Sequence, residues 1–119
     1  MASRTVLILG AGVGGVVAAT RLRKLLPRQH RVVLIERDPA FVFAPSLLWL
    51  MTGGRTAAQL TRPLTRLERR GVEVVRGEIE RIDPRAREVV VAGRRLTGDY
   101  LIVALGAELA PELIPGLAE

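Results

Sequence analysis

Thr5-Val-Leu-Ile-Leu-Gly-Ala-Gly-Val-Gly-Gly15, a helix-like run, and then Arg31-Val-Val-Leu-Ile-Glu36 decide how this chain folds. A short, fully apolar strand runs into glycines, the glycines open a helix, and a second apolar strand ends on a carboxylate. That is the layout of a dinucleotide-binding βαβ unit. Gly10, Gly12 and Gly15 occupy the three glycine places of G-x-G-x-x-G. The first permits the tight turn out of the strand. The second lets the backbone approach a pyrophosphate, and the third lets the helix lie close to the sheet. Because the helix starts at these glycines, its unpaired N–H groups and positive dipole end face the phosphates. Glu36 stands where the acid that accepts hydrogen bonds from ribose hydroxyls is expected, about 20 residues on. A carboxylate there repels a 2′-phosphate, although Arg37 beside it softens that argument.

Two competing readings of the same stretch are weaker. A glycine-rich turn of another α/β protein would not need the acid at the end of the next strand. A secretory leader would not carry four glycines inside its apolar run, with Arg21, Arg23 and Lys24 following.

Working outward, 119 residues make one domain or a piece of one. Hydrophobic residues are 49% but aromatics only 3%, so the core is aliphatic, as suits a parallel sheet covered by helices. There is no cysteine, hence no disulfide, thiolate metal site or cysteine redox centre in the chain. The single histidine, His30, cannot build a metal site and reads as an exposed loop residue without a role. The net charge of +6 comes from scattered arginines with no interleaved aromatic platform, which argues against nucleic acid. Solvated arginine faces are the ordinary reading, and contact with an anionic membrane surface is the alternative. No apolar run reaches the roughly 20 residues of a spanning helix.

Residues 14–26 read as a helix whose buried face carries Val16, Val17, Leu22, Leu25 and Leu26, with Arg21, Arg23 and Lys24 pointing elsewhere. Pro27 stops it. Residues 41–51 are apolar without a clean period and read as a loop plus a short helix. Their Phe41, Phe43 and Trp49 either plug the end of the sheet or wall a flat cofactor or apolar substrate. Pro63 places a helix at about 63–70, after a looser turn and before the capping Gly71. Residues 72–76 read as a strand, and 78–97 as a small antiparallel meander. Residues 100–106 read as a buried strand ending in a glycine, and 107–119 as a loop.

Gly10-Ala-Gly-Val-Gly-Gly15, Glu36, the meander crossover, and Tyr100-Leu-Ile-Val-Ala-Leu-Gly106 followed by Ile114-Pro-Gly116 resemble one group of flavoproteins. They are the N-terminal FAD-binding part of the two-dinucleotide-binding-domain flavoproteins, the pyridine nucleotide-disulfide oxidoreductase superfamily. The strand that usually ends Ala-Thr-Gly there ends Ala104-Leu105-Gly106 here, without the threonine hydroxyl. Phe43-Ala-Pro-Ser-Leu-Leu-Trp49 and Arg62-Pro-Leu make the chain most similar to sulfide:quinone oxidoreductases, with type II NADH dehydrogenases as close relatives.

The resemblance implies an α/β fold. A Rossmann-like FAD-binding βαβ parallel sheet carries a small antiparallel β-meander crossover, and the whole is the N-terminal fragment of a larger FAD/NAD(P)-binding fold, with 1–119 an incomplete domain. It implies FAD as cofactor, with Gly12, Val13, Gly14 and Gly15 cradling the pyrophosphate after Gly10 has turned the chain. Glu36, with Arg37 adjacent, would hold the adenosine ribose, and Ile79 would meet the adenine through its backbone. Ala104, Leu105 and Gly106 would pass the pyrophosphate and ribityl side, and Ala44 and Pro45 would approach the isoalloxazine ring. Quinone with sulfide, or with NADH, would be substrates of a complete protein only, since no residue here is a convincing acid, base, nucleophile or metal ligand. A partner chain or a second copy that completes a noncatalytic nucleotide-binding module is the reading of a different class. The place expected for the protein is the cytoplasm, with peripheral attachment to the inner face of the membrane as its extension. In isolation the chain is expected to hold FAD weakly and to leave part of its sheet uncovered.

Overall fold

Two apolar strands buried on both faces sit at the centre of the computed structural model, which describes residues 2–118. They are β1 (Thr5–Leu9) and β2 (Arg31–Glu36), joined by the helix α1 (Val13–Leu25). The chain then forms β3 (Ala40–Val42), a 3-10 turn at 44–46, α2 (Leu47–Met51), α3 (Ala57–Leu60), β4 (Thr61–Pro63) and α4 (Thr65–Glu68). After these come β5 (Glu73–Arg76), β6 (Ile79–Asp83), β7 (Glu88–Val91), β8 (Arg94–Thr97) and β9 (Tyr100–Val103). The main sheet is parallel throughout, in the order β5-β2-β1-β9. The strands β6, β7 and β8 form the antiparallel meander expected from 78–97.

Strand alternation divides the core in two. Val6, Ile8, Val32 and Leu34 point to one face, where they meet Ala19 of α1 and Leu64, Leu67 and Val72. Leu7, Leu9, Val33, Ile35 and Val75 point to the other, where Val89 and Val91 of the meander cover them. The layers are therefore helix, parallel sheet and meander. The meander does what a crossover helix does in other dinucleotide folds, and that is why the sheet residues need no polar alternation. Burial of each of the valine, leucine and isoleucine side chains here contributes about 1.5–3 kcal/mol.

Several expectations change. The helix packs through Gly15, Ala19 and Arg23, whereas Val17 and Leu25 are 54% and 69% exposed. Those three lie four residues apart along one line of the helix, whereas Val13, Val17 and Leu25 lie on the exposed side, in one line with Arg21. Arg23 is buried because its guanidinium closes the end of α1. It donates to the carbonyl oxygens of Leu26, Pro27 and His30 at 2.6–2.9 Å. His30 is also buried rather than exposed, and its Nδ1 accepts from the Arg4 N–H at 3.0 Å. The helix expected at about 63–70 shortens to α4. The residues before it form α3, with a Thr56/Gln59 capping box, and β4, which pairs with β3. The strand expected over 100–106 shortens to β9. It lies at an edge of the sheet and is only partly buried, with Tyr100 and Val103 more than half exposed.

Of the two readings of the aromatic residues, the sheet plug holds for Phe41 alone. Phe41 packs on the helix-side core, but Phe43 and Trp49 are about half exposed. Arg55 lies over the Trp49 ring, 4.4 Å from its centroid, a cation–π contact. The whole of α2 is apolar and exposed. The Cα radius of gyration of 16.4 Å exceeds the roughly 13–14 Å of a compact chain of this length, so the molecule is drawn out. Among the described residues no helix is long and apolar enough to cross a membrane.

Candidate functional site

All strands of the main sheet end on the same side, and there the loop after β1, the end of β2, the start of the meander and the segment after β9 converge. Between them lies an open cleft of about 920 Å³. Its floor is the glycine loop. Gly10 has φ +94°, and a Cβ on it would run into the Ala104 carbonyl oxygen, so both its conformation and its space demand glycine. A Cβ on Gly15 would overlap the Gly10 carbonyl oxygen, because α1 starts directly against the turn. Gly12 differs from both: a Cβ there would meet nothing within 4 Å. Its missing side chain serves neither turn nor packing, and leaves open space in front of the backbone. Gly12 is also the N-cap of α1, and no side chain caps the helix. The positive dipole end of α1 therefore begins at Gly12, on the margin of the cleft, with no side-chain cap, an arrangement suited to a phosphate.

Glu36 closes one side. Its Oε2 accepts from the Ala11 N–H at 2.7 Å, and its Oε1 accepts from the N–H groups of Arg37 and Asp38 at 2.8 and 3.2 Å. The carboxylate is thereby fixed to the glycine loop, with acceptor capacity left for ribose hydroxyls. Arg37 turns to other partners. Its guanidinium lies 2.7 Å from Glu108, 3.9 Å from Asp38 and 4.0 Å from Glu78. The hydrogen bond and charge of Glu108, then Asp38 and Glu78, hold it protonated more firmly than an ordinary arginine.

Of the residues singled out in the sequence, Gly10, Gly12, Glu36, Arg37, Ile79, Leu105 and Gly106 line this cleft. Gly15 and Ala104 lie behind it, the one under α1 and the other with its N–H on the Leu9 carbonyl at 2.8 Å. Val13 and Gly14 are the exposed opening residues of α1 and do not line the cleft. Ala44 and Pro45 sit in the exposed 3-10 turn, outside the lining. Asp38, Glu78, Glu80 and Glu108 line the cleft without having been singled out as binding residues. Glu108 had no local signal, since it meets Arg37 from 71 residues away.

A parallel sheet with a glycine loop, a helix N-terminus and an anchored carboxylate at its strand ends defines a dinucleotide-binding α/β protein. Comparison with known proteins narrows this class. The family model for pyridine nucleotide-disulphide oxidoreductases matches residues 4–119, and the chain belongs to that family. It is 34% identical to the sulfide-quinone reductase of Aquifex aeolicus over 109 residues, which cover 90% of this chain and 25% of that protein. It is 33% identical to a type II NADH:quinone oxidoreductase of Mycobacterium tuberculosis over 110 residues, 87% of this chain and 23% of that one. The crystal structure of the sulfide:quinone oxidoreductase from Aquifex aeolicus superposes with a TM-score of 0.83, covering 90% of this chain and 25% of the other. The chain thus spans about a quarter of the length of these relatives.

Proposed function

We propose that this chain is an incomplete N-terminal FAD-binding domain, residues 1–119, of a flavin-dependent oxidoreductase of the sulfide:quinone type. The observation that carries the reading is the open space before Gly12, flanked by the uncapped start of α1 and by Glu36 tied to the Ala11 amide at 2.7 Å. Gly12, Val13, Gly14 and Gly15 would hold the pyrophosphate, with Gly10 making the turn. Glu36 would hold the adenosine ribose, Ile79 would meet the adenine, and Ala104, Leu105 and Gly106 would flank the pyrophosphate and ribityl chain. Ala44 and Pro45 would approach the flavin ring from their exposed turn. FAD, when bound, supplies the electron-transfer chemistry, while the protein binds and orients it. No residue of this segment is assigned a catalytic role.

In the complete protein, sulfide would be the electron donor and quinone the acceptor. The likeness to a type II NADH:quinone oxidoreductase supports NADH as the alternative donor. Attachment to the inner membrane surface fits the basic chain and the exposed apolar α2. The uncovered edge at β9 supports a third reading, in which a partner chain supplies the rest.

The test is a titration of FAD into the chain, followed by flavin fluorescence, alone and with the downstream part of the Aquifex aeolicus relative. Weak binding alone, stronger binding in the mixture, and loss of both in Gly12→Val are expected. Flavin binding that survives Gly12→Val intact would refute the pyrophosphate role.

A further inference from the structure

The cleft carries a charge opposite to that of the molecule. The chain is +6, yet the cleft is lined by five carboxylates, Glu36, Asp38, Glu78, Glu80 and Glu108, against two guanidiniums, Arg37 and Arg81. Arg37 directly follows the proposed ribose acid, the place from which an arginine could receive a 2′-phosphate on an adenosine. Its guanidinium is nevertheless turned to Glu108 at 2.7 Å, with Asp38 and Glu78 at 3.9 and 4.0 Å. Its backbone is held as well, because the Arg37 carbonyl accepts from the Arg76 side chain at 3.1 Å. Three carboxylates from three parts of the chain thus surround one cation.

From this we infer that Glu108 is a positioning residue for nucleotide selection. It holds Arg37 away from a ribose 2′-phosphate, so that the cleft takes an adenosine with free ribose hydroxyls and rejects the 2′-phosphorylated form. The inference rests on the proposed adenosine site and adds what sets its selectivity. Glu36 alone would repel a 2′-phosphate, but a free guanidinium beside it would offset that repulsion. The Arg37–Glu108 pair removes the offset. The pair is exposed, with side chains 51% and 77% accessible, so it can be altered without disturbing the core. It also ties the segment after β9 to the end of β2, which puts selectivity partly in the hands of a residue remote in sequence.

The probes are 5′-AMP and adenosine 2′,5′-bisphosphate, which differ only in the 2′-phosphate. Their dissociation constants are measured by NMR titration of the whole chain at low ionic strength, where exposed charges are least screened. Glu108→Gln is expected to raise the affinity for the bisphosphate relative to 5′-AMP by about fivefold, the range an exposed ion pair controls. Adding Arg37→Gln should cancel the gain, and Glu108→Asp should retain much of the wild-type ratio. Circular dichroism verifies that the variants fold, and a loss of fold would not raise one ligand's affinity over the other. An unchanged ratio, with both probes binding, overturns the inference and leaves the adenosine site standing. Failure of 5′-AMP to bind the wild-type chain overturns the site itself.

Discussion

Two glycines three residues apart should fail in opposite ways. In Gly15→Ala the new Cβ overlaps the Gly10 carbonyl oxygen and lies 2.8 Å from the Gly10 carbonyl carbon. Both atoms are backbone, so no rotamer change relieves the clash and α1 must lift from the sheet. An alanine inside a helix normally gains about 1 kcal/mol over glycine. Overpacking costs about 1–3 kcal/mol, and lifting α1 also loosens the contacts of Val16, Ala19 and Leu22 with the sheet, worth about 0.8 kcal/mol per methylene. The balance is a loss of about 2–3 kcal/mol, or roughly 6–12 °C in melting temperature.

Gly12→Ala meets nothing within 4 Å, and its φ of −74° suits any residue. Poorer capping by alanine and a stiffer unfolded chain offset one another to within about 0.5 kcal/mol. Its melting temperature should stay near the wild type, while its affinity for FAD falls at least about tenfold, since the methyl group enters the space left for the ligand. Thermal unfolding by circular dichroism and a flavin titration, run on both variants, give the two readouts. Equal stability of Gly15→Ala and wild type, or a marked destabilisation of Gly12→Ala, would refute the division of labour between the glycines.

Three further outcomes are expected. Arg23→Ala removes the guanidinium donor from the carbonyls of Leu26, Pro27 and His30, of which Pro27 keeps the His30 N–H, and should cost about 2–4 kcal/mol in urea unfolding, with Arg23→Lys restoring only part. Asp99 accepts from the Thr5 N–H at 2.7 Å and from Arg4 at 3.0 Å; these bonds, the Thr5 amide first, hold its carboxyl below the usual range. The stability it lends is complete above the unfolded value of about 3.9 and is lost as pH falls through the folded one. Unfolding curves of Asp99→Asn should therefore depend less on pH below about 4 than those of the wild type. The β7–β8 turn holds Ala92 at φ +47° beside Gly93 at +76°, so Ala92→Asn should stabilise the chain by about 0.5–1 kcal/mol in a thermal melt.

The β1–α1–β2 unit was legible because each of its signals is local: an apolar run, glycines where a Cβ cannot fit, and an acid at a strand end. The meander was legible from its alternation and turns. Periodicity placed Val17 and Leu25 inside and Arg23 outside, because it cannot see that Arg23 satisfies the carbonyls of the loop after its own helix. His30 was misread as exposed for the same reason, since its partner is the backbone of Arg4. The pairing of β3 with β4 is three residues long on each side and carries Pro63 at its edge, too short to leave a pattern. At the site, the glycines and Glu36 announce themselves, whereas Glu108 depends on the segment after β9 folding back, which no local pattern encodes.

The strand order has a consequence for how the protein is made. β1 leaves the ribosome well before its sheet neighbour β9. The Thr5–Asp99 bond at the start of that pairing joins residues 94 apart. At about 5–20 residues per second, β1 waits some 5–20 s with that edge unpaired. Its residues are all β-branched or leucine, the composition that seeks another strand. Until β9 is made, the central strand of the sheet is thus an aggregation hazard of the nascent chain, and a chaperone that masks it would act in that interval.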